Sequence, residues 1–311
     1  MKSRTGLKTL GVVLALGILG LALAQQKGPI TVGSKLDAEG RLLGSMIRLS
    51  LENAGFSVND KTGTGTTPVT RKALLEGQID IYPEYTGTAI NNFFKGQTIP
   101  ADASSKAAKS YATVKALDLK LNKVAWLERS PANNTFAVAV RKDLADKAGL
   151  KSQVDLSKYL AGGGEFKIVG SQEFFERDDG LKSFEKAYGF ALKAEQKITI
   201  AGATTAQTES AAAQGTDGAN AAMAYGTDGS IAALGLVVLS DPKGAQPVYQ
   251  PAPTVRVEVL KKFPELPSLL NPIFRGLTLE VLQGLNRQID LDGKAPLEVA
   301  RSYLKAKNLI K

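Results

Sequence analysis

The strongest constraint on the fold is a regular alternation of short apolar runs with segments of helical length. The apolar runs are of strand length and occupy residues 30–33, 79–82, 135–140, 166–169, 197–200, 221–225 and 236–239. The segments between them carry helix signals: residues 42–53 end before Gly55, and residues 68–76 lie between Thr67 and Gly77. This alternation predicts an α/β fold with parallel sheets.

The length of the chain predicts more than one domain. A chain of 311 residues exceeds what one hydrophobic core usually organises. Two connecting segments, residues 131–135 and 241–253, are the places where we expect the chain to cross between two lobes. Ligands of open α/β sheets bind beyond the carboxyl ends of the strands, so we expect a cleft between the lobes at those ends.

The first 24 residues have the pattern of a cleaved secretory signal. Lys2, Arg4 and Lys8 precede an apolar run over residues 10–23, which closes on the small residues Ala22 and Ala24. The alternative is a buried or anchoring helix, but about fifteen apolar residues are short for a bilayer span. Because the chain contains no cysteine, disulfides and a lipid-anchor cysteine at the cleavage site are both excluded. We therefore expect a freely soluble periplasmic protein that is cleaved near Ala24.

The chain lacks the residues of several catalytic and metal sites. It contains no histidine and no cysteine, which excludes Ser-His-Asp and Cys-His nucleophiles and removes the commonest metal ligands. Residues 63–67 could present backbone N–H groups to an anion, but the lysine of a nucleotide-binding loop is missing. The net charge of +9 comes without a block of Lys and Arg, so nucleic acid is not an expected partner. We expect a protein that is not an enzyme and uses no metal or cofactor.

Three aromatic side chains remain as candidates for a binding site. Tyr85 lies on a predicted Thr-Gly-Thr loop, Phe136 on the strand that follows a crossing segment, and Tyr225 at the end of a strand. Aromatic faces attract quaternary ammonium groups, so rings that converge on a cleft without a nucleophile favour recognition of a cation. Packing in the core is the alternative for each ring, most of all for Phe136.

Six short motifs follow one another along the chain. They are VGSK at residues 32–35, GTGTT at 63–67, DIYPEYTGTA at 80–89, NNTFAVAV at 133–140, FFERDDG at 174–180 and AYGTDG at 224–229. Together they resemble the glycine betaine/choline/carnitine-type substrate-binding proteins of osmoprotectant ABC transporters, over essentially the whole chain after the predicted signal.

The resemblance implies a two-lobed periplasmic-binding-protein-like fold (type II), in which each lobe is a sheet flanked by helices and the ligand cleft lies between the lobes. Residues 25–132 would form the first part of lobe 1, residues 133–238 lobe 2, and residues 239–311 the return to lobe 1. The resemblance also implies a monomer that closes on its ligand and delivers it to a permease in the membrane.

The resemblance further implies a site built from a cage of rings and a group of polar side chains. The residues that match the family's cage are Tyr85, Phe136, Leu181 and Tyr225. The polar contacts fall on Ser34, Lys35, Thr66, Thr67, Thr88 and Arg177, with Lys35 and Arg177 as the natural partners of a ligand carboxylate. The family commonly has tyrosine where this chain has Phe136 and Leu181, which implies a reduced cage and a low affinity.

Two other functions stay open at this point. One is a binding protein for another small polar or anionic solute, because a cleft between two lobes suits many small ligands. The other is an exported hydrolase, because residues 176–179 contain clustered carboxylates of the type that such an enzyme needs.

Overall fold

The computed structural model describes residues 27–311, so the predicted signal peptide lies outside the described residues. The strands of this part form two separate five-stranded sheets. In chain order they are β1 (Lys27–Lys35), β2 (Phe56–Gly65), β3 (Ile81–Tyr85), β4 (Val124–Trp126), β5 (Phe136–Arg141), β6 (Ile168–Ser171), β7 (Lys197–Ile200), β8 (Ala221–Tyr225), β9 (Leu236–Val238) and β10 (Pro251–Arg256). Each sheet is flanked by helices, as the sequence predicted.

The α-helices are α1 (Ala38–Asn53), α2 (Thr67–Leu75), α3 (Thr86–Asn92), α4 (Ala107–Asn122), α5 (Lys142–Ala148), α6 (Gln153–Ala161), α7 (Gln172–Glu176), α8 (Leu181–Tyr188), α9 (Thr205–Gln214), α10 (Val257–Lys262), α11 (Leu266–Arg275), α12 (Leu279–Asp290) and α13 (Pro296–Ala306). Within residues 27–311, no helix is both long and apolar enough to cross a membrane.

The prediction of parallel sheets is wrong, because both sheets are mixed. The first sheet has the order β2-β1-β3-β10-β4, and β10 runs antiparallel to β3 and β4. The second has the order β7-β6-β8-β5-β9, and β5 runs antiparallel to β8 and β9. The reason is that β5 and β10 each follow a segment that crosses from the other sheet. A chain that crosses from one sheet enters the other sheet at the edge that faces the first. The strand that follows, β5 or β10, therefore runs away from this edge, whereas β1, β3, β6 and β8 run toward it and end there.

Local sequence signals explain the first two helices. Asp37 precedes α1, and its side chain accepts a hydrogen bond from the Gly40 N–H, which satisfies one free donor of the first turn. Helix α2 has Pro68 in its first turn, where a missing N–H costs nothing. Gly55 and Gly77 follow the two helices with φ of 85° and 72°, a backbone conformation that strains other residues. Both helix predictions are confirmed.

The region around residues 56–92 differs from the sequence expectation at two places. Strand β2 is polar and partly exposed because it lies at the edge of its sheet, so it has no apolar run to reveal it. The predicted Thr-Gly-Thr loop is helical: Thr86 begins α3, and Tyr85 is the last residue of β3. Tyr85 is therefore held by a buried strand and not by a loop.

Candidate functional site

A cavity of about 290 Å³ lies where the two sheets face each other. Lys35, Tyr85 and Tyr225 line it, and each is the last residue of its strand. Phe136 also lines it as the first residue of the antiparallel strand β5, where it pairs with Tyr225. The cavity therefore lies beyond the strand ends of both sheets, and its size suits a small solute, since ligand pockets begin at roughly 300 Å³.

Eight of the ten residues predicted for the site line this cavity. They are Lys35, Thr66, Thr67, Tyr85, Thr88, Phe136, Arg177 and Tyr225. They come from both halves of the fold, with Lys35 to Thr88 around the first sheet and Phe136 to Tyr225 around the second. The tertiary structure thus brings together residues that are more than half the chain apart, such as Lys35 and Tyr225.

The family resemblance implies a cage position for Leu181, but in this structure Leu181 lies outside the cavity wall. Only 1% of its surface is exposed, and it packs in the core with other side chains of α8. Leu181, Phe184 and Tyr188 are spaced three and four residues apart, which places them on one buried face of that helix. Leucine at this position fills the core and leaves no gap in a ring of aromatic side chains.

Ser34 also lies outside the cavity wall. It precedes Lys35 on β1, and neighbouring side chains on a strand point to opposite faces. The Ser34 hydroxyl donates to the Lys35 carbonyl over 2.8 Å and accepts a hydrogen bond from the Gly63 N–H over 2.8 Å. Its hydrogen bonds therefore support the backbone behind the cavity.

Four rings form what we call the aromatic wall: Tyr85, Phe136, Tyr225 and Tyr249. The Phe136 ring is stacked on Tyr225 with 5.1 Å between centroids, and it meets the Tyr249 ring edge-on at 6.1 Å. Sequence reasoning missed Tyr249, because it lies in the segment 241–253 that had been interpreted only as a flexible crossing. The sequence does contain a signal for Tyr249, because it is an aromatic residue in a segment that is expected to pass the cleft. In the structure, the Tyr249 side chain is 3% exposed.

Carboxylates accept hydrogen bonds from two of the three tyrosine hydroxyls of this wall. The Tyr249 hydroxyl donates to Asp179 over 2.6 Å. The Tyr85 hydroxyl donates to Glu39 over 2.9 Å, and Glu39 also accepts from the side-chain amides of Asn134 and Asn286 at 2.9 and 2.8 Å. Burial raises the pKa of Glu39, and the hydrogen bonds it accepts oppose that rise. These contacts hold the Tyr85 and Tyr249 rings in place at the cavity.

Asp37 adds a further carboxylate, and it lines the cavity itself. Burial raises the pKa of Asp37, while the Gly40 N–H and the nearby charge of Lys35 act in the opposite direction. Sequence reasoning missed both Asp37 and Glu39, although they flank the beginning of the first helix directly after Lys35.

A second group of residues forms what we call the ionic wall: Lys35, Thr67, Glu173 and Arg177. The Lys35 ammonium donates to Glu84 over 2.7 Å and lies 4.9 Å from the centre of the Tyr85 ring. The Arg177 guanidinium lies 5.3 Å from the centre of the Phe136 ring. Both cations therefore border the aromatic wall, but each already has a carboxylate partner in the protein.

Arg177 is held by two carboxylates. Its Nε and Nη2 donate to the two oxygens of Asp179 at 2.8 and 2.6 Å, and its Nη1 donates to Glu173 over 3.3 Å. Burial by itself would raise the pKa of Asp179, but the Arg177 pair outweighs it and holds that pKa below its usual range. The two predicted partners of a ligand carboxylate, Lys35 and Arg177, are thus paired within the protein.

Glu173 joins the two halves of the fold across the cavity. It belongs to α7 beside the second sheet, and its carboxylate accepts from the N–H of Thr67 at 2.9 Å and from the hydroxyl of Thr67 at 3.2 Å. Thr67 is the first residue of α2 beside the first sheet. Residues 63–67 predicted a position where backbone N–H groups bind an anion. In the structure the Thr67 N–H does bind an anion, and that anion is the Glu173 carboxylate.

The arrangement suits the binding of a small cation better than bond-breaking chemistry. Ring faces and carboxylates surround one small cavity, and both favour positive charge. Within residues 27–311, no group of three or more acidic side chains is placed to hold a metal ion.

Comparisons with known proteins agree with one another. The family model described as the substrate-binding domain of an ABC-type glycine betaine transport system matches residues 28–306. The glycine betaine-binding protein YehZ of Escherichia coli K12 is 50% identical over 302 residues, which are 97% of each chain. The glycine-betaine-binding protein of Pseudomonas aeruginosa PAO1 is 31% identical and covers 94% of this chain and 92% of its own.

Solved structures show the same fold. The structure of apo YehZ from E. coli aligns with a TM-score of 0.66 and covers 91% of this chain and all of its own, at 50% identity. A crystal structure described as a glycine betaine/carnitine/choline ABC transporter aligns with a TM-score of 0.70 at 24% identity, covering 91% of this chain and all of its own. The predicted two-lobed type II fold is confirmed.

Proposed function

The chain belongs to the family of substrate-binding domains of ABC-type glycine betaine transport systems, and from this membership we propose that it binds a quaternary ammonium compound of the glycine betaine and choline type. The family consists of substrate-binding proteins and not of enzymes. The observation that carries the proposal is the convergence of four rings on one small cavity, with carboxylates behind them.

The physical basis is the attraction of a cation to ring faces in a partly dry site. A single desolvated cation–π contact contributes up to about 2 kcal/mol, so several together support a measurable affinity. Asp37 at the cavity and Glu39 behind Tyr85 add negative potential to the same place. The rings also supply the apolar surface that the methyl groups of a trimethylammonium head need.

An anionic solute fits this cavity less well. The cations that would attract it, Lys35 and Arg177, already hold Glu84, Asp179 and Glu173. A further anion would therefore meet a wall without a free positive charge.

We further propose that the protein works as an extracytoplasmic monomer, with residues 1–24 as a cleaved signal, and delivers its ligand to a membrane permease. We assign residues 25–132 and 239–311 to lobe 1 and residues 133–238 to lobe 2. Sheet membership supports this division, because the strands of the first sheet lie in the former ranges and those of the second in the latter.

Calorimetric titration tests the proposal. Glycine betaine, choline, carnitine and phosphate are titrated into the protein, together with 3,3-dimethylbutanol, a neutral analogue with the shape of choline. We expect at least one trimethylammonium compound to bind, phosphate not to bind, and the neutral analogue to bind at least about tenfold more weakly than choline. Equal binding of choline and its neutral analogue, or binding of phosphate alone, would contradict recognition of a cation.

A further inference from the structure

We infer that Glu173 occupies the position of a ligand carboxylate and makes the site favour quaternary ammonium cations without a carboxylate, such as choline, over zwitterions such as glycine betaine. The inference rests on the proposed function and adds to it the class of ligand that the site prefers. Glu173 is therefore a specificity-determining residue.

The first step is the set of donors that Glu173 uses. Its two carboxylate oxygens accept from the Thr67 N–H, the Thr67 hydroxyl and the Arg177 Nη1 at 2.9, 3.2 and 3.3 Å. The family resemblance implies a polar contact to the ligand from Thr67 and a contact to the ligand carboxylate from Arg177. The Thr67 N–H also belongs to the free N-terminus of α2, which attracts negative charge.

The second step is that the other charged donors at the cavity are already paired. The remaining donors of Arg177 are shared with Asp179, and the Lys35 ammonium is paired with Glu84. These pairs are largely shielded from water: side-chain exposure is 13% for Arg177, 3% for Asp179 and 10% for Lys35. A ligand carboxylate that binds to Thr67 and Arg177 must therefore displace Glu173 or lie beside it, and both cost free energy.

The third step is the competition between a tethered group and a free one. Glu173 is on the same chain as Arg177, one turn earlier, so it competes with a free carboxylate at a high effective concentration. A hydroxyl group faces no such competition, because it can donate a hydrogen bond to the Glu173 carboxylate without moving it. Glycine betaine and choline both place a quaternary ammonium head against the aromatic wall. Glu173 therefore discriminates between the carboxylate of one ligand and the hydroxyl of the other.

The test compares the ratio of two dissociation constants, Kd for glycine betaine divided by Kd for choline, in the wild-type protein and in Glu173→Ala. We expect this ratio to fall by about tenfold or more in the variant, because Thr67 and Arg177 become free for the ligand carboxylate. Since Glu173 also joins the two lobes, its loss can weaken closure, but that effect applies to both ligands and cancels in the ratio.

Two further variants support the comparison. Asp178→Ala removes one negative charge from the same segment at a side chain that is 93% exposed, and its ratio should stay within about twofold of wild type. Glu173→Gln keeps the size of the side chain, and its ratio should move in the same direction as Glu173→Ala by a smaller factor. It also provides the measurement if the alanine variant does not fold.

The outcomes separate the inference from the proposed function. A ratio that is unchanged in both Glu173 variants, or that falls equally in Asp178→Ala, overturns the role of Glu173 and leaves recognition of a quaternary amine intact. Wild-type protein that binds glycine betaine more tightly than choline also overturns it. If neither ligand binds to wild type or to any variant, the proposed function fails and the inference fails with it.

Discussion

The aromatic wall and the ionic wall border the same cavity, but the protein uses their side chains in different ways. In the aromatic wall, the hydroxyl groups of Tyr85 and Tyr249 donate to the buried carboxylates of Glu39 and Asp179, and both residues line the cavity. In the ionic wall, the charges of Lys35 and Arg177 are bonded to carboxylates of the protein. A tyrosine can be held at one end and bind with its face, whereas a charge that is already paired has less left to offer a ligand.

The largest expected effect tests whether the ionic wall is mainly structural. Arg177→Ala leaves Asp179 and Glu173 without their cation, and breaking a largely buried pair costs about 3–5 kcal/mol. Urea unfolding should show this loss. Arg275→Ala is the matched control, because the Arg275–Glu128 pair is exposed and should contribute little to the free energy of unfolding. Equal small losses in the two variants would mean that Arg177 is available for a ligand.

The second prediction tests where the aromatic wall ends. Leu181→Tyr should lower the free energy of unfolding by about 1–3 kcal/mol, because the larger side chain overpacks a closed core. Affinity for choline or glycine betaine should stay within about twofold of wild type. The conservative Leu181→Met should cost less than about 1.5 kcal/mol. Tighter binding in Leu181→Tyr, with an intact fold by circular dichroism, would place this residue in the cage after all.

The third prediction concerns the ring of Tyr225. Tyr225→Ala should weaken binding of the preferred quaternary amine by up to about 2 kcal/mol, or roughly thirtyfold, because it removes one ring face. Tyr225→Phe keeps that face and should bind within about threefold of wild type. Calorimetric titration measures both. If phenylalanine weakens binding as much as alanine does, the hydroxyl and not the ring carries the contact.

The smallest expected effect distinguishes the role of the Tyr85 hydroxyl from the role of the Tyr85 ring. Tyr85→Phe removes one of three hydrogen bonds that Glu39 accepts, which should cost about 1 kcal/mol of unfolding free energy. Affinity should change by less than about threefold, because the ring remains. Thermal unfolding and titration of one sample measure both quantities. A large loss of affinity at unchanged stability would show that the hydroxyl contacts the ligand directly.

Much of the fold and part of the site could be predicted because their signals are local. Gly55 and Gly77 end helices through their own backbone preferences, and Pro68 suits the first turn of α2. The position of a residue at a strand end is also local, and it was enough to nominate Tyr225 for the cavity. Leu181 lies in the core and outside the cavity wall, because a motif match says where a residue lies along the chain and not which face of α8 it occupies.

What the sequence by itself determined is therefore many of the elements, the family and eight of the residues around the cavity, since each depends on neighbours along the chain. The tertiary structure decided which strands run antiparallel, that Tyr249 joins the aromatic wall, and that the charges of the ionic wall are paired. Lys35 finds Glu84 across 49 positions of the chain, and Thr67 finds Glu173 across 106. The sequence does not show whether a charged residue is free or paired. Pairing depends on contacts between distant residues, and these contacts exist only in the folded protein.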